Sequence, residues 1–154
     1  MAIPAEASGG VRTEVTPYLI VKGAEEAIAF YRAAFGAEER YRLTDPQTGQ
    51  IGHADLAIGG ATVMLADEAP DFGALSPATL GGTPVKLHLA VADADETVAR
   101  AERAGATVLR PVQDQMYGER SGMIVDPFGH QWYFATQKEI VSMEELERRA
   151  KEKG

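Results

Sequence analysis

The two halves of the chain repeat one pattern of strand and helix. The segment Tyr18-Leu19-Ile20-Val21 precedes a helix-prone stretch that ends at Gly36, and His88-Leu89-Ala90-Val91 precedes another that ends at Gly105. The repeat is therefore close to half of the chain, and a repeat of that length is a half-domain with an apolar face that needs a partner. Pairing two such units leaves a cleft in which a small molecule can sit.

Composition excludes several classes of function. The 154 residues carry 23 acidic and 15 basic side chains, a net charge of −8, which argues against nucleic acid and against a membrane surface as partners. The chain has no Cys, so thiol chemistry and Cys-ligated metal sites are excluded. No apolar run approaches the ~20 residues that span a bilayer. We therefore expect a cytoplasmic protein.

The spacing of apolar residues and of Gly and Pro predicts the domain organisation. Residues 1–14 are predicted to be a disordered lead, and residues 15–136 one domain of two modules, 15–69 and 84–136. The linker 70–83 is predicted to be structureless and is a candidate lid. Residues 137–154 are predicted to carry a C-terminal helix, because Ser142-Met143-Glu144-Glu145 is a capping box.

Each module is predicted to fold as βαβββ. The predicted strands are 16–21, 39–43, 53–58 and 61–66 in the first module and 85–91, 107–109, 122–125 and 130–135 in the second. The predicted helices are 24–35 and 94–104, and residues 113–120 are predicted to be a loop.

Several motifs on this duplicated pattern resemble a known family. Phe30-Tyr31 at the end of the first helix and Asp126-Pro127-Phe128-Gly129-His130 before the last strand resemble the vicinal oxygen chelate superfamily of glyoxalases, bleomycin-resistance proteins and extradiol dioxygenases. Three further motifs and the tail from Val141 resemble its PhnB-like branch: His53-Ala54-Asp55-Leu56, Tyr117-Gly118-Glu119-Arg120 and Gly129-His130-Gln131-Trp132. The resemblance implies an α+β fold in which tandem βαβββ modules form curved mixed sheets around a cleft.

The resemblance also implies where a metal would bind, because metal-dependent members draw ligands from the first and last strands of both modules. The corresponding positions here are Thr16, Met64, Lys86 and Tyr133. None of these is His, Asp or Glu, so we expect no metal and no cofactor. A shift of two residues along the first strands would substitute Tyr18 and His88, which still leaves one module without a ligand.

Strand alternation places a mixed polar and aromatic set on the faces opposite the helices. The apolar residues Leu19, Val21, Val63, Leu65, Leu87, Leu89, Trp132 and Phe134 are predicted to face the helices. The opposite side is predicted to carry Thr16, Tyr18, His53, Asp55, Thr62, Met64, Lys86, His88, Gln131 and Tyr133. From these residues and the loop before the seventh strand we take as candidate ligand contacts Tyr18, His53, Asp55, Met64, Lys86, His88, Tyr117, Arg120 and Tyr133.

Each polar candidate also has a structural interpretation. His53 and Asp55 can contact a ligand or simply hydrogen-bond to each other. Lys86 in an interior would need Asp55, Glu119 or a bound anion as its partner, or else it reaches solvent. His88 can act as an acid or base, or it can bond to a backbone carbonyl.

The remaining candidates have similar alternatives. Arg120 can bind a carboxylate or pair with Asp126 to fix the turn. Met64 and Tyr133 can stack on a planar ligand or pack as core. His130 falls on the helix side and is predicted to be architectural.

Together these features favour a homodimer that binds a small organic molecule, a drug or metabolite, in the cleft between its sheets. The alternative is an enzyme, a lyase, isomerase or dioxygenase, with a displaced metal site built from His53, Asp55, His88 and Glu119. The sequence leaves open whether the cleft lies within one chain or across two, and which residues would be catalytic.

Overall fold

The computed structural model describes residues 12–153, so most of the predicted N-terminal lead lies outside the described residues. The first module comprises β1 (Tyr18–Val21), α1 (Ala24–Phe35), β2 (Glu38–Thr44), β3 (Ile51–Ile58) and β4 (Ala61–Asp67). After the linker helix α2 (Pro77–Leu80), the second module comprises β5 (Lys86–Ala90), α3 (Ala94–Ala104), β6 (Thr107–Asp114), β7 (Glu119–Val125) and β8 (Gln131–Gln137). The C-terminal helix α4 is Met143–Lys153. None of the helices within residues 12–153 is long and apolar enough to cross a membrane.

Each module forms a four-stranded mixed sheet, with the order β1-β4-β3-β2 in one and β5-β8-β7-β6 in the other. The first and last strands of each module run parallel and the other pairs are antiparallel. The tandem α+β fold predicted from the repeat is thus confirmed, and α1 and α3 have the predicted bounds.

The linker is ordered by a capping serine, which corrects the prediction that residues 70–83 are structureless. It holds a 3-10 helix (Pro70–Phe72) and α2, with Ser76 as the fully buried N-cap. The backbone N–H and hydroxyl of Ser76 donate to Glu68 Oε1 at 2.8 and 2.6 Å, and these bonds lower the pKa of Glu68 to about 2. Ser76-Pro77 is a helix-start signal that identifies the element in retrospect.

Helices α1 and α3 lie between the two sheets. The Phe35 ring of α1 is 4.7 Å from the Trp132 ring and 5.3 Å from the Phe134 ring, both on the helix-facing side of β8. Arg100 of α3 donates to the Ala33 carbonyl of α1 at 2.6 Å. The apolar faces of both sheets therefore bury against helices, while the opposite faces stay open.

A buried carboxylate joins the modules. Asp126 is 4% exposed, and its Oδ2 accepts the Tyr31 hydroxyl at 2.5 Å and the Trp132 indole N–H at 2.9 Å. Its Oδ1 accepts the backbone N–H groups of Phe128 and His130 at 2.9 and 3.0 Å. Burial, and then the charge of Asp126, raise the pKa of Tyr31 well above its usual value. The Asp-Pro-Phe-Gly-His motif thus fixes both its own turn and α1 of the other module.

His130 adds a second link between the modules. Its Nε2 lies 2.9 Å from the Ile20 carbonyl oxygen of β1, so the imidazole donates to a strand edge of the other module. The architectural role predicted for His130 is confirmed.

Strand β6 is longer than predicted and irregular. The predicted strand ends at Leu109 and a loop is predicted from residue 113, yet β6 continues to Asp114 through Pro111. Pro is tolerated because β6 is the edge strand of its sheet and needs no outward N–H group. Val108 pairs with Ile124 and Arg110 with Met123, so two residues of β6 oppose one of β7 in a β-bulge.

Candidate functional site

The open face of the first sheet carries one cross-strand row of side chains. Tyr18 pairs with Met64, Met64 with Asp55, and Asp55 with Tyr41. We call this row together with His53 the N-terminal face.

The second sheet carries an equivalent row. His88 pairs with Tyr133, Tyr133 with Met123, and Met123 with Arg110. We call this row, together with Lys86, Tyr117 and Ser121, the C-terminal face. The repeat matches Tyr18 to His88 and Met64 to Tyr133, but it matches Asp55 to a methionine and Tyr41 to an arginine. The two faces have therefore diverged in charge.

A histidine and a carboxylate form the polar centre of the N-terminal face. His53 Nε2 is 2.7 Å from Asp55 Oδ1, and His53 Nδ1 is 2.9 Å from the Tyr18 hydroxyl. Because the carboxylate only accepts, the Nε2 of a neutral His53 carries the proton and Nδ1 accepts from Tyr18. The His53–Asp55 hydrogen bond expected as one alternative is confirmed.

The aromatic groups around His53 complete this face. The Tyr41 ring is stacked on the His53 ring with centroids 5.7 Å apart. Burial and the negative charge of Asp55 raise the pKa of Tyr18, so its hydroxyl stays neutral at physiological pH. This face offers aromatic surface, hydrogen-bonding groups and one negative charge.

Tyrosine hydroxyls and stacked rings form the C-terminal face. The Tyr133 hydroxyl lies 2.9 Å from Ser121 Oγ and also bonds to the Tyr117 hydroxyl. The His88 ring is stacked on the Tyr133 ring at 5.1 Å and 18°. Burial opposes ionisation of Tyr133, but hydrogen bonding with Ser121, Tyr117 and Arg110, and then the charge of Arg110, lower its pKa overall. These contacts unite the predicted candidates His88, Tyr117 and Tyr133.

Arg110, Met123 and Ser121 are residues of this face that the sequence analysis missed, and Arg110 is the charged one. Its guanidinium carbon lies 5.0 Å from the centre of the Tyr133 ring. Simple alternation from Val108, which packs on the core, would turn Arg110 towards the helices. The bulge changes its direction, and nothing in the sequence marks a bulge at that position. The Glu39 to Tyr41 step of β2 has an equivalent bulge, which directs Tyr41 to the N-terminal face.

Lys86 is exposed within one chain, so of the two alternatives stated for it, it reaches solvent there. Among residues 12–153 no ion pair joins Lys86 to Asp55 or Glu119. His88 is exposed as well, and its described contact is the Tyr133 ring rather than a backbone carbonyl.

Arg120 lies away from both faces. Its Nε and Nη2 donate to the Asp95 carboxylate at 2.7 and 3.0 Å, and its Nη1 donates to Asp114 at 3.3 Å. It therefore does not pair with Asp126, whose partners are Tyr31 and Trp132. Alternation along β7 puts Arg120 opposite to Ser121, on the helix side of the sheet.

The side chains of one chain do not fit the divalent metal site that the family resemblance implies. Among the described residues no three His, Cys, Asp or Glu side chains lie close enough to share an ion. His53 and Asp55 lie on one sheet and His88 on the other, so the alternative site with Glu119 does not assemble within residues 12–153. Its donors could meet only if another chain brought the two faces together.

Three cavities of a single chain bear on the candidate site, and one of ≈ 440 Å³ is an open polar groove lined by residues that include Asp114, Glu119 and Lys138. A second of ≈ 200 Å³ is lined by residues of both modules that include Thr62, Lys86 and His88. Another of ≈ 280 Å³ lies between β1 and the linker and is mainly apolar. Sites for small molecules usually measure roughly 300–1,000 Å³. Both sheet faces are open surfaces instead of closed pockets.

Comparisons with known proteins place the chain among proteins of the same architecture. The model of the Glyoxalase/Bleomycin resistance protein/Dioxygenase superfamily matches residues 13–134. The uncharacterized protein Mb0911c of Mycobacterium bovis is 42% identical over 147 residues, which cover 94% of this chain and 96% of that protein.

Solved structures agree with the sequence match. The Arabidopsis thaliana protein At5g48480 is 30% identical, with a TM-score of 0.64 over 81% of this chain and 99% of that chain. A PhnB protein from Bacillus cereus shares the fold at 18% identity, with a TM-score of 0.61 over 80% and 99% of the two chains.

Proposed function

Because the chain belongs to the Glyoxalase/Bleomycin resistance protein/Dioxygenase superfamily, we propose that it is a cytoplasmic homodimer that binds a small organic molecule. The ligand lies in a cleft between the N-terminal face of one subunit and the C-terminal face of the other. Binding itself, as sequestration of a drug or metabolite, is the function, and no metal takes part.

The packing of the helices supports a cleft across two chains. Within one chain α1 and α3 fill the space between the sheets, so the two polar faces cannot close on each other there. The N-terminal side also exposes apolar surface. Tyr18 is 47% exposed, and Leu43 of β2, which pairs with His53 of β3, is 55% exposed. Exposed apolar surface around polar groups is typical of an interaction site.

The charges of the two faces support a dimer in which the N-terminal face of one subunit pairs with the C-terminal face of the other. The N-terminal face carries Asp55, with Arg40 bonded to Thr62 on the same side of the sheet, whereas the C-terminal face carries Lys86 and Arg110, with Glu119 on the same side of β7. A two-fold dimer that pairs each N-terminal face with a C-terminal face makes two identical clefts and brings opposite charges together. Pairing like faces would set Lys86 and Arg110 against their own copies.

The observation that carries this proposal is the pair of equivalent, diverged rows across the two sheets. They supply aromatic rings, a thioether and hydrogen-bonding groups, which suit a planar organic ligand. The residues at the family's ligand positions, Thr16, Met64, Lys86 and Tyr133, are poor ligands for a divalent ion.

Native mass spectrometry of protein purified without chelator tests this proposal against the metal-dependent alternative. We expect the mass of a dimer without stoichiometric Zn, Ni, Mn or Fe, because the positions at which the family resemblance implies metal ligands carry Thr16, Met64, Lys86 and Tyr133. One metal ion per chain that is lost in both His53→Ala and His88→Ala would instead assign a displaced metal site between subunits. A monomer at micromolar concentration would contradict the shared cleft.

A further inference from the structure

Arg110 has hydrogen-bonding capacity that the chain does not use. Its Nε and Nη2 atoms are buried and have no hydrogen-bond partner among residues 12–153. Buried donors are nearly always paired, and an unpaired charged donor is costly. A side chain that keeps two of them on a candidate binding face therefore calls for a physical explanation.

The two unpaired atoms form the edge of a guanidinium that grips a carboxylate. The same chain shows that geometry three times, in Arg120, in Arg42 and in Arg148, whose Nε and Nη2 donate to Glu145. Arg120 uses Nε and Nη2 to hold Asp95 at 2.7 and 3.0 Å, and Arg42 uses them to hold Glu39 at 2.5 and 3.1 Å. This edge presents two parallel N–H groups at the spacing of two carboxylate oxygens. Arg110 has the same edge, and no acidic side chain of residues 12–153 pairs with it.

The groups around Arg110 suit the aromatic part of a ligand as well as its carboxylate. The rings of Tyr133 and His88 are stacked at 5.1 Å, and the Tyr117 and Ser121 hydroxyls bond to the Tyr133 hydroxyl. Flat aromatic surface and hydroxyl donors therefore lie beside the guanidinium. An aromatic ring that carries a carboxylate could contact both.

We propose that Arg110 is a carboxylate-binding residue and that the ligand class of this protein is the aromatic carboxylates. This inference rests on the proposed small-molecule function and specifies the charge of its ligand. Because Nε and Nη2 of Arg110 are buried in the single chain, the side chain turns towards the open face to pair them with the carboxylate, while the ring lies along Tyr133 and His88. The net charge of −8 belongs to the whole chain, whereas two cations, Arg110 and Lys86, and one carboxylate, Glu119, lie on the C-terminal side of this site.

A matched pair of probes tests the inference. Isothermal titration compares 2-naphthoate with the isosteric neutral 2-naphthamide on the full-length protein. We expect the wild type to bind the carboxylate at least about tenfold more tightly, a factor within the range for charge-assisted hydrogen bonds. Arg110→Gln is expected to bind both probes equally, and Arg110→Lys to keep only part of the preference because it lacks the two-pronged edge.

The variants also separate binding from folding. Because Arg110→Gln removes an unsatisfied buried charge, its Tm should equal or exceed that of the wild type. A clear fall in Tm with an unchanged carboxylate preference would make Arg110 a scaffold residue and overturn the inference.

The neutral probe distinguishes failure of the carboxylate preference from failure of small-molecule binding. Equal binding of both probes by the wild type would contradict the carboxylate class and leave the small-molecule function standing. Binding of neither probe at millimolar concentration would contradict both the aromatic contacts with Tyr133 and His88 and the carboxylate site at Arg110.

Discussion

Asp126→Asn is expected to lower the free energy of unfolding by about 2–4 kcal/mol, because it weakens hydrogen bonds to a buried charge and leaves one buried donor without an acceptor. The amide keeps one oxygen for the backbone N–H groups of the turn, but its NH₂ group faces the Trp132 indole N–H. That donor is then buried without an acceptor, and the Tyr31 hydroxyl loses a charged partner. The cost should be large because this carboxylate joins both modules, and denaturant unfolding measures it.

The matched control for this prediction is Asp71→Asn. Asp71→Asn makes the same chemical change on an exposed segment of the linker, and we expect it to alter the free energy of unfolding by no more than about 0.5 kcal/mol. Tyr31→Phe and Trp132→Phe should each cost about 1–3 kcal/mol by removing one bond to the carboxylate. A loss below 1 kcal/mol for Asp126→Asn would contradict the role of this network in holding the modules together.

Gly118→Ala is expected to destabilise the protein by about 2–4 kcal/mol, because strain and overlap act together. Gly118 has φ 91°, and a Cβ there would overlap the Glu139 carbonyl oxygen and lie 3.0 Å from Val141 Cγ2. The backbone N–H groups of Lys138 and Glu139 both donate to the Gly118 carbonyl, so the C-terminal segment cannot move away without losing those bonds. Thermal and denaturant unfolding measure the loss.

Gly49→Ala separates the backbone strain from the steric overlap of the added Cβ. Gly49 has φ 74° with nothing within 4 Å of the added Cβ, so this variant should cost only about 1 kcal/mol of backbone strain. Because Gly118 follows Tyr117, we also expect Gly118→Ala to weaken binding of 2-naphthoate. Equal stability losses in the two variants would show that the C-terminal segment does not pack closely on this loop.

The repeat predicted the architecture because apolar spacing and turn residues are local signals. The two long helices follow from their periodicity and terminal glycines, and the helix-facing side of each sheet follows from alternation. Leu19, Val21, Trp132 and Phe134 are accordingly buried in the core, and Leu87 and Leu89 pack against it. The open faces carry Tyr18, His53 and Asp55 on one sheet and His88 and Tyr133 on the other, as predicted.

The parts that the sequence did not predict depend on tertiary context. The strand predicted to end at Leu109 continues, because Pro111 at a sheet edge costs no hydrogen bond, and the bulge beside it redirects Arg110. Arg120 appeared to be a ligand contact because of its motif, yet a partner distant in sequence, Asp95, holds it. The packing of the modules through their helices, which leaves both faces open, is likewise a long-range property.

A mixed dimer tests the shared cleft most directly. One subunit carries Met64→Glu, which adds a second carboxylate to the N-terminal face, and the other carries Arg110→Gln on the C-terminal face. Each variant alone should bind 2-naphthoate weakly as a homodimer. If each cleft combines faces from two chains, the purified mixed dimer contains one cleft with both mutations and one with neither. Titration should then show one site of wild-type affinity per dimer, whereas a cleft built within each chain would leave no wild-type site at all.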